Sequence, residues 1–398
     1  MPGLVPSLRR PGAPAPGGAP PASRSRRIWR HVHTWSSVAC TLFLLMLCLT
    51  GLPLIFADEI DHWLDGPDPA ATLAGAPPST GPRLSLDRLV EAARSQDPRS
   101  HVRFIGPDWE NDAVYIGLGP TPEPGPGGYA LKFDAYTARV LEDSRAPPAS
   151  QLPRSGHRIM ALMHDLHAEL LLDDTGEWVL CAAGALFLIA LVSGAVLYAP
   201  YMRKLSFGTQ RRDRSIRLRR LDLHNFLGIA TLAWAAVVGA TGVFNTLAHP
   251  LFDHWQSHTI GRLVAGYATL GNEPVTRKLA SIQAAVDLAH RTHPDMRVGT
   301  IVYPNRNWVS PHHYLLFAWG NTALTSKLRM TFLIDARNGN LTAAEPFPWY
   351  LRVVELSRPL HFGDYGGLPL KMMWALLDLI LIVVLVGGLN LYRGRLRR

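Results

Sequence analysis

HTWSSVACTLFLLMLCLTG, His33 to Gly51, decides the reading of this chain because its layout returns at His224 to Gly242, HNFLGIATLAWAAVVGATG. Both stretches run from a His through sixteen residues to Thr-Gly, and Asp61-His62-Trp63 and Asp253-His254-Trp255 follow them. A second pair matches too. His167 stands twenty-seven residues before Gly194 in Leu-Val-Ser-Gly, and His361 twenty-seven before Gly388 in Leu-Val-Gly-Gly. Self-similarity of this length marks a duplicated unit. The expectation is two tandem two-span repeats, each with one His near either face of a bilayer.

Composition agrees with spans. The 398 residues are 47% hydrophobic and 18% charged, and four apolar runs approach the ~20 residues that cross a hydrocarbon core. They are Val32–Phe56, Trp178–Tyr201, Phe226–Leu247 and Leu368–Tyr392. The net charge of +9 is topogenic: six Arg and no acid in residues 1–30, eight Lys/Arg against one acid in 203–220, four Arg in 393–398. By the positive-inside rule both termini and the central loop are cytoplasmic and two large loops lie outside. No nucleic-acid motif accompanies the charge. The first span reads as a retained anchor, without small-residue cleavage chemistry after Phe56. Cys40, Cys48 and Cys181 fall inside spans with no C-x-x-C and read as small buried hydrophobes.

The order expected is a disordered cytoplasmic tail (1–27), a first span (28–57) and an outer domain (58–156) opened by a Pro-rich linker (66–82). An interfacial helix and second span (157–202) and a basic loop (203–220) follow. The third span (221–250), a second outer domain (251–358) and the fourth span with its tail (359–398) complete it. Ser85 and Ser281 each open an amphipathic helix closed before Pro98 and Pro294. Strands are predicted at Val102–Ile105, Val114–Leu118 and Tyr129–Phe133, and again at Val298–Val302, Tyr314–Trp319 and Met330–Ile334. Each outer loop thus reads as a separate small α+β domain. Arg154–Leu172 reads as a short helix broken by Asp173-Asp-Thr-Gly176.

A single His near the end of a span usually bonds a headgroup or a neighbouring backbone. Four repeat-matched His residues carry more weight. Repeats related by an axis along the membrane normal bring His33 to face His224 at one side and His167 to face His361 at the other. Two imidazoles meeting across an apolar bundle suit haem iron. Structural zinc wants four ligands, and no third ligand recurs at either level. His33 and Gly51 lie about 27 Å apart along a helix, so two haem b groups, not one, are expected. His31 and His164 adjoin the chosen ligands and read as alternatives or partners of a ligated group. His62 and His254 are the rivals for the outer site. Asp378, in mid-span, is costly there and by default functional, although a protonated, hydrogen-bonded carboxyl in the bundle reads equally well. Trp234 and Trp374 could aid electron passage, but aromatic packing is the reading preferred for them.

These residues resemble the PepSY-associated transmembrane helix family, in the layout of FoxB-type ferric-siderophore reductases of Gram-negative inner membranes. The resemblance runs from about His31 to Arg398, and the outer loops, each with an Asp-Ala turn, resemble PepSY domains. It implies a b-type di-haem oxidoreductase that reduces ferric siderophore to Fe(II) in the periplasm and so releases iron. Where the family commonly carries Arg after the first His of each copy, this chain has Thr34 and Asn225. No dinucleotide motif is visible, so the expected electron donor is a quinol or a separate protein. The alternative is a non-enzymatic PepSY scaffold that binds a periplasmic protein or peptide; a transporter would want more spans.

Overall fold

The structure, a computed structural model, describes residues 24–65, 81–109, 111–145, 155–202, 208–211, 213, 215–308, 310–322 and 325–396. The expected tail and linker therefore fall largely outside the described residues, and Arg24–Arg27, read as part of the tail, already belong to the first helix.

Four long apolar helices carry the fold: α1 (Arg24–Leu54), α5 (Asp173–Met202), α6 (Ile216–Thr246) and α10 (Gly367–Leu396). Each is long and apolar enough to cross a membrane, and only 17–28% of its most apolar window is buried within the protein. Leu42, Leu49, Val192 and Leu376 are all more than half exposed. Such outward apolar surface is stable only against lipid. The helices close a ring in which α1 packs on α5 and α10, and α6 packs on the same two. Hence α1 and α6 are diagonal. Small side chains such as Cys40, Cys48, Thr231 and Ala235 line the interior beside Leu44, Phe187 and Leu381.

Shorter helices flank the ring and an extramembrane sheet: α2 (Ala57–Asp65), α3 (Leu86–Gln96), α4 (Ser155–Glu169), α7 (Ala248–Trp255), α8 (Ile282–Thr292) and α9 (Trp349–Phe362). Ser85 caps α3 by accepting from Arg88 N, and Ser281 caps α8 by accepting from Ala284 N, as the serines predict. The break after α4 falls earlier than expected. Leu170 and Leu171 take left-handed φ of 55° and 59°, while Asp173 and Asp174 open α5, where acidic groups favour the helix N-terminus.

The strands of the two expected outer domains meet in a single sheet. Strands β1 (His101–Asp108), β2 (Ala113–Gly119), β3 (Tyr129–Asp134), β4 (Val140–Asp143), β5 (Met296–Val302), β6 (His313–Gly320), β7 (Arg329–Asp335) and β8 (Leu341–Pro346) form one antiparallel sheet. Its order is β4-β3-β2-β1-β5-β6-β7-β8. All six predicted strands are present; β4 and β8 are additions, and neither has a fully buried face to give it an alternating pattern. The seam is short, pairing only Phe104 with Val302 and Ile105 with Ile301. Exposed edges seek partners, and here β1 and β5 supply them to each other.

Side chains reinforce the seam. Asp87 of α3 accepts from Ser281 Oγ (2.6 Å) and from Ile282 N (2.8 Å), while Gln283 Oε1 of α8 accepts from Leu86 N (3.0 Å). The two helices thus cap each other. Both pack on one sheet face with Ile105, Ile116, Leu316, Phe332 and Ile334. On the other face, Leu315, Phe317 and Leu333 pack with Trp255 of α7 and with Phe347 and Leu351 at the start of α9, so this second face looks toward the spans.

Asp87→Ala removes a cap and a seam contact together and is expected to cost about 1–2 kcal/mol, read as a lower unfolding temperature of the purified protein. His313, fully buried between Ser310 Oγ (2.8 Å) and Thr342 Oγ1 (3.0 Å), is held neutral by burial, its pKa lowered to about 4. The unfolded chain then binds the extra proton first, so stability present above pH ~6.5 falls as pH drops toward 4. Unfolding temperatures measured from pH 7 to 5 are expected to fall less in His313→Asn than in the parent.

Candidate functional site

The four repeat-matched His residues are brought together in the pairs expected from the sequence. His33 of α1 and His224 of α6, on diagonal helices, have ring centroids 6.5 Å apart. His167 of α4 and His361 of α9 lie 6.3 Å apart at the end of the bundle nearest the sheet.

Each imidazole is fixed through Nδ1 to a neighbouring helix. His33 Nδ1 lies 2.9 Å from Ala190 O and 3.3 Å from Ser193 Oγ on α5. His224 Nδ1 lies 3.0 Å from Val384 O on α10. His361 Nδ1 lies 3.0 Å from Val238 O and 3.2 Å from Thr241 Oγ1 on α6, and His167 Nδ1 lies 2.9 Å from Thr50 Oγ1 on α1.

These partners decide the tautomer. A carbonyl can only accept, so Nδ1 of His33, His224 and His361 carries the proton. For His167 the partner is a hydroxyl, but Thr50 Oγ1 already donates to Met46 O at 2.9 Å, which leaves it to accept from the ring. Thr241 and Ser193 are committed in the same way, to Val237 O and Ile189 O, both at 2.7 Å. All four rings are therefore Nδ1–H tautomers whose Nε2 keeps its lone pair, the arrangement of a metal-ligating His with its second nitrogen anchored. Among the described residues no Nε2 of the four has a hydrogen-bond partner.

The spacing tests what lies between the rings. A direct N–H···N bond of about 3 Å would bring centroids to roughly 5 Å. Two metal–imidazole bonds of about 2.1 Å plus centroid-to-nitrogen offsets of about 1.1 Å give roughly 6.4 Å. The observed 6.5 and 6.3 Å, with ring planes at 65° and 68°, are longer than the first case and compatible with the second.

The glycines of the motifs find their reason here. A Cβ on Gly51 would lie 3.0 Å from His167 Cε1, on Gly194 3.1 Å from His33 Cε1, on Gly242 3.2 Å from His361 Cε1, and on Gly388 3.3 Å from His224 Cε1. Each motif Gly seats one ring. Thr50, Thr241 and Ser193, read in the sequence only as spacing markers, are Nδ1 acceptors; their place directly before the glycines was the available signal.

The other candidates lie apart. His31 is exposed on α1. His164 is largely exposed, 3.5 Å from Asp165. His254 is exposed and stacks with His258, centroids 4.2 Å apart. The His62 side chain lies outside the described residues. Asp378 is buried in the bundle beside Cys48, with Oδ2 unpartnered. Trp234 and Trp374 contact edge to face at 6.5 Å. No group of three or more His, Cys, Asp or Glu able to hold a metal occurs among the described residues.

Helix α9, which carries His361, is tied to the sheet and to α6. Glu355 Oε2 accepts from Arg329 N at 2.9 Å and its Oε1 lies 3.0 Å from Arg329 Nε, while Ser357 Oγ donates to Asn245 Oδ1 at 2.5 Å. Burial pushes the Glu355 carboxyl up and the Arg329 guanidinium down. The rings of Phe317, Trp319 and Phe347 surround that guanidinium.

Four membrane-spanning helices beneath an extramembrane antiparallel sheet define a multi-span membrane protein with a built-in extramembrane module. The chain belongs to the PepSY-associated TM region family, whose pattern matches residues 30–395. It is also 33% identical over 86 residues to an uncharacterized protein of Pseudomonas aeruginosa, a stretch covering 22% of this chain and 21% of that protein. The matched part spans about a fifth of that curated relative's length.

Proposed function

We propose that this is a b-type di-haem membrane protein that passes electrons across a Gram-negative inner membrane and reduces ferric siderophore to Fe(II) in the periplasm. In this reading the chain consists of two tandem two-span repeats with PepSY-like outer halves, its termini are cytoplasmic, and quinol or a separate protein donates the electrons. The observation that carries it is the pairing of Nδ1-anchored imidazoles, ring centroids 6.5 and 6.3 Å apart, at both ends of one bundle, a spacing compatible with a shared metal.

His33 with His224 and His167 with His361 are the residues that would hold haem iron. Bound there, haem b supplies reversible one-electron Fe(III)/Fe(II) chemistry, tuned by its ligands and their anchoring. The protein's own part is to orient and insulate. The Nδ1 anchors to Ala190, Val384, Val238 and Thr50 fix each ring in place and orientation. Between the two pairs the bundle is filled by apolar side chains, Cys40, Leu44, Cys48, Phe187 and Leu381 among them, which exclude water. Along α1, His33 and the Thr50 that anchors His167 are about 26 Å apart, which puts one pair near each leaflet. At the outer end, one electron delivered to the chelated Fe(III) yields Fe(II), whose weaker hold on hard oxygen ligands lets iron leave.

The test is an absorption spectrum of the purified protein with and without reductant. His33→Ala or His224→Ala is expected to abolish one haem and spare the other; His167→Ala or His361→Ala does the reverse. Gly51→Val and Gly388→Val, which crowd His167 and His224, are expected to lose the sheet-side and the sheet-distal haem respectively. A protein without haem that instead copurifies with a stable partner belongs to the scaffold reading, and haem content unchanged in all four His variants refutes the ligand assignment.

A further inference from the structure

Beside the sheet seam, where both halves contribute, lies a cavity of about 370 Å³. Arg94, Arg99 and His101 reach it from the end of α3 and the start of β1, and Thr276 and Arg277 from the loop before α8. Among the described residues no Asp or Glu lines it. None of the three guanidiniums has an ion-pair or hydrogen-bond partner among the described residues. Asp87, close enough to act on Tyr303, is taken up by Ser281 Oγ and Ile282 N, and two further carboxylates of the outer domain are engaged as well. Asp97 accepts from Tyr129 Oη and Ser100 Oγ, both at 2.8 Å, and Glu123 lies 3.6 Å from Arg306.

The wall holds a second signal. Tyr303 lines the cavity and is 5% exposed, yet its hydroxyl has no hydrogen-bond partner among the described residues. Buried hydroxyls usually find a partner, and this one, not sealed from solvent, can find it only through the cavity. Its neighbour Tyr314, 5.1 Å away, satisfies the rule by donating to Ala280 O at 2.9 Å. Burial also pushes the Tyr303 phenol well above its usual range, so it is a neutral O–H with a proton to give.

Three unpaired guanidiniums and one unpaired O–H around a single space make a donor set without an acceptor. We propose that this cavity binds a soluble polyanion bearing at least two carboxylate or phosphate groups, gripped by Arg94, Arg99 and Arg277 with the Tyr303 hydroxyl donating from the wall. Guanidinium forks suit such oxyanions. A lipid headgroup is out of reach, because α3 and α8 pack on the sheet face opposite the one that meets α7 and α9. The site does not depend on haem.

Titration calorimetry of the full chain in a maltoside detergent tests this, with citrate and pyrophosphate as probes and acetate as the single-charge control. Citrate or pyrophosphate is expected to bind, acetate to bind far more weakly, and added NaCl to weaken the complex. The double variant Arg94→Gln/Arg277→Gln is expected to lose about tenfold or more in affinity, and Tyr303→Phe several-fold. Arg94 and Arg277 are exposed, so the double variant keeps its fold, checked by unchanged circular dichroism, and decides the matter even if Tyr303→Phe unfolds. Absence of binding by both multivalent anions, or binding undiminished in the double variant, overturns the proposal.

Discussion

Everything at the centre of this molecule depends on a hydroxyl or carbonyl of one helix holding Nδ1 of a His on another. A Thr or Ser that has given its proton to the carbonyl one turn back can only accept, so it dictates which ring nitrogen is protonated. The same bond turns the ring and leaves Nε2 as the reactive nitrogen. The adjacent Gly lets the imidazole lie against the helix backbone. Thr-Gly is thus a seat for a ring, used twice at the sheet-side end by Thr50-Gly51 and Thr241-Gly242. Ser193-Gly194 is its counterpart at the other end, while beside Gly388 the Val384 carbonyl does the anchoring alone.

The ring of four helices explains why the His residues meet. Each span packs on its neighbours, and the diagonal pair α1 and α6 presents His33 and His224 across the interior. The sheet-side His residues are carried by short helices that return to the bundle end, and each is anchored to one of those same diagonal spans. The Arg329–Glu355 contact links the strand layer to the helix that carries His361. Position at the sheet-side pair is therefore set partly by the sheet, and disturbance of β7 should be felt there.

Much of this was legible in the sequence, for physical reasons. Apolar length reveals spans, serine caps and prolines bound α3 and α8, and alternation marks the six inner strands. The repeated His and Thr-Gly spacings point to the imidazole pairs. The merging of the two loop domains into one sheet was not legible, because the β1–β5 seam rests on two residue pairs and on caps exchanged between helices far apart in the chain. The break at Leu170-Leu171 was hidden as well, since two leucines in left-handed conformation carry no local turn signal. The Tyr303 cavity escaped for a related reason: Arg94 and Arg277 are ordinary surface residues until the fold sets them around one space.

The most direct measurement of the central claim is low-temperature electron paramagnetic resonance of the oxidised purified protein. Iron bound between two imidazoles is low-spin, and two distinct low-spin ferric signals are the predicted result. High-spin signals from singly ligated iron, or no haem signal at all, would contradict it.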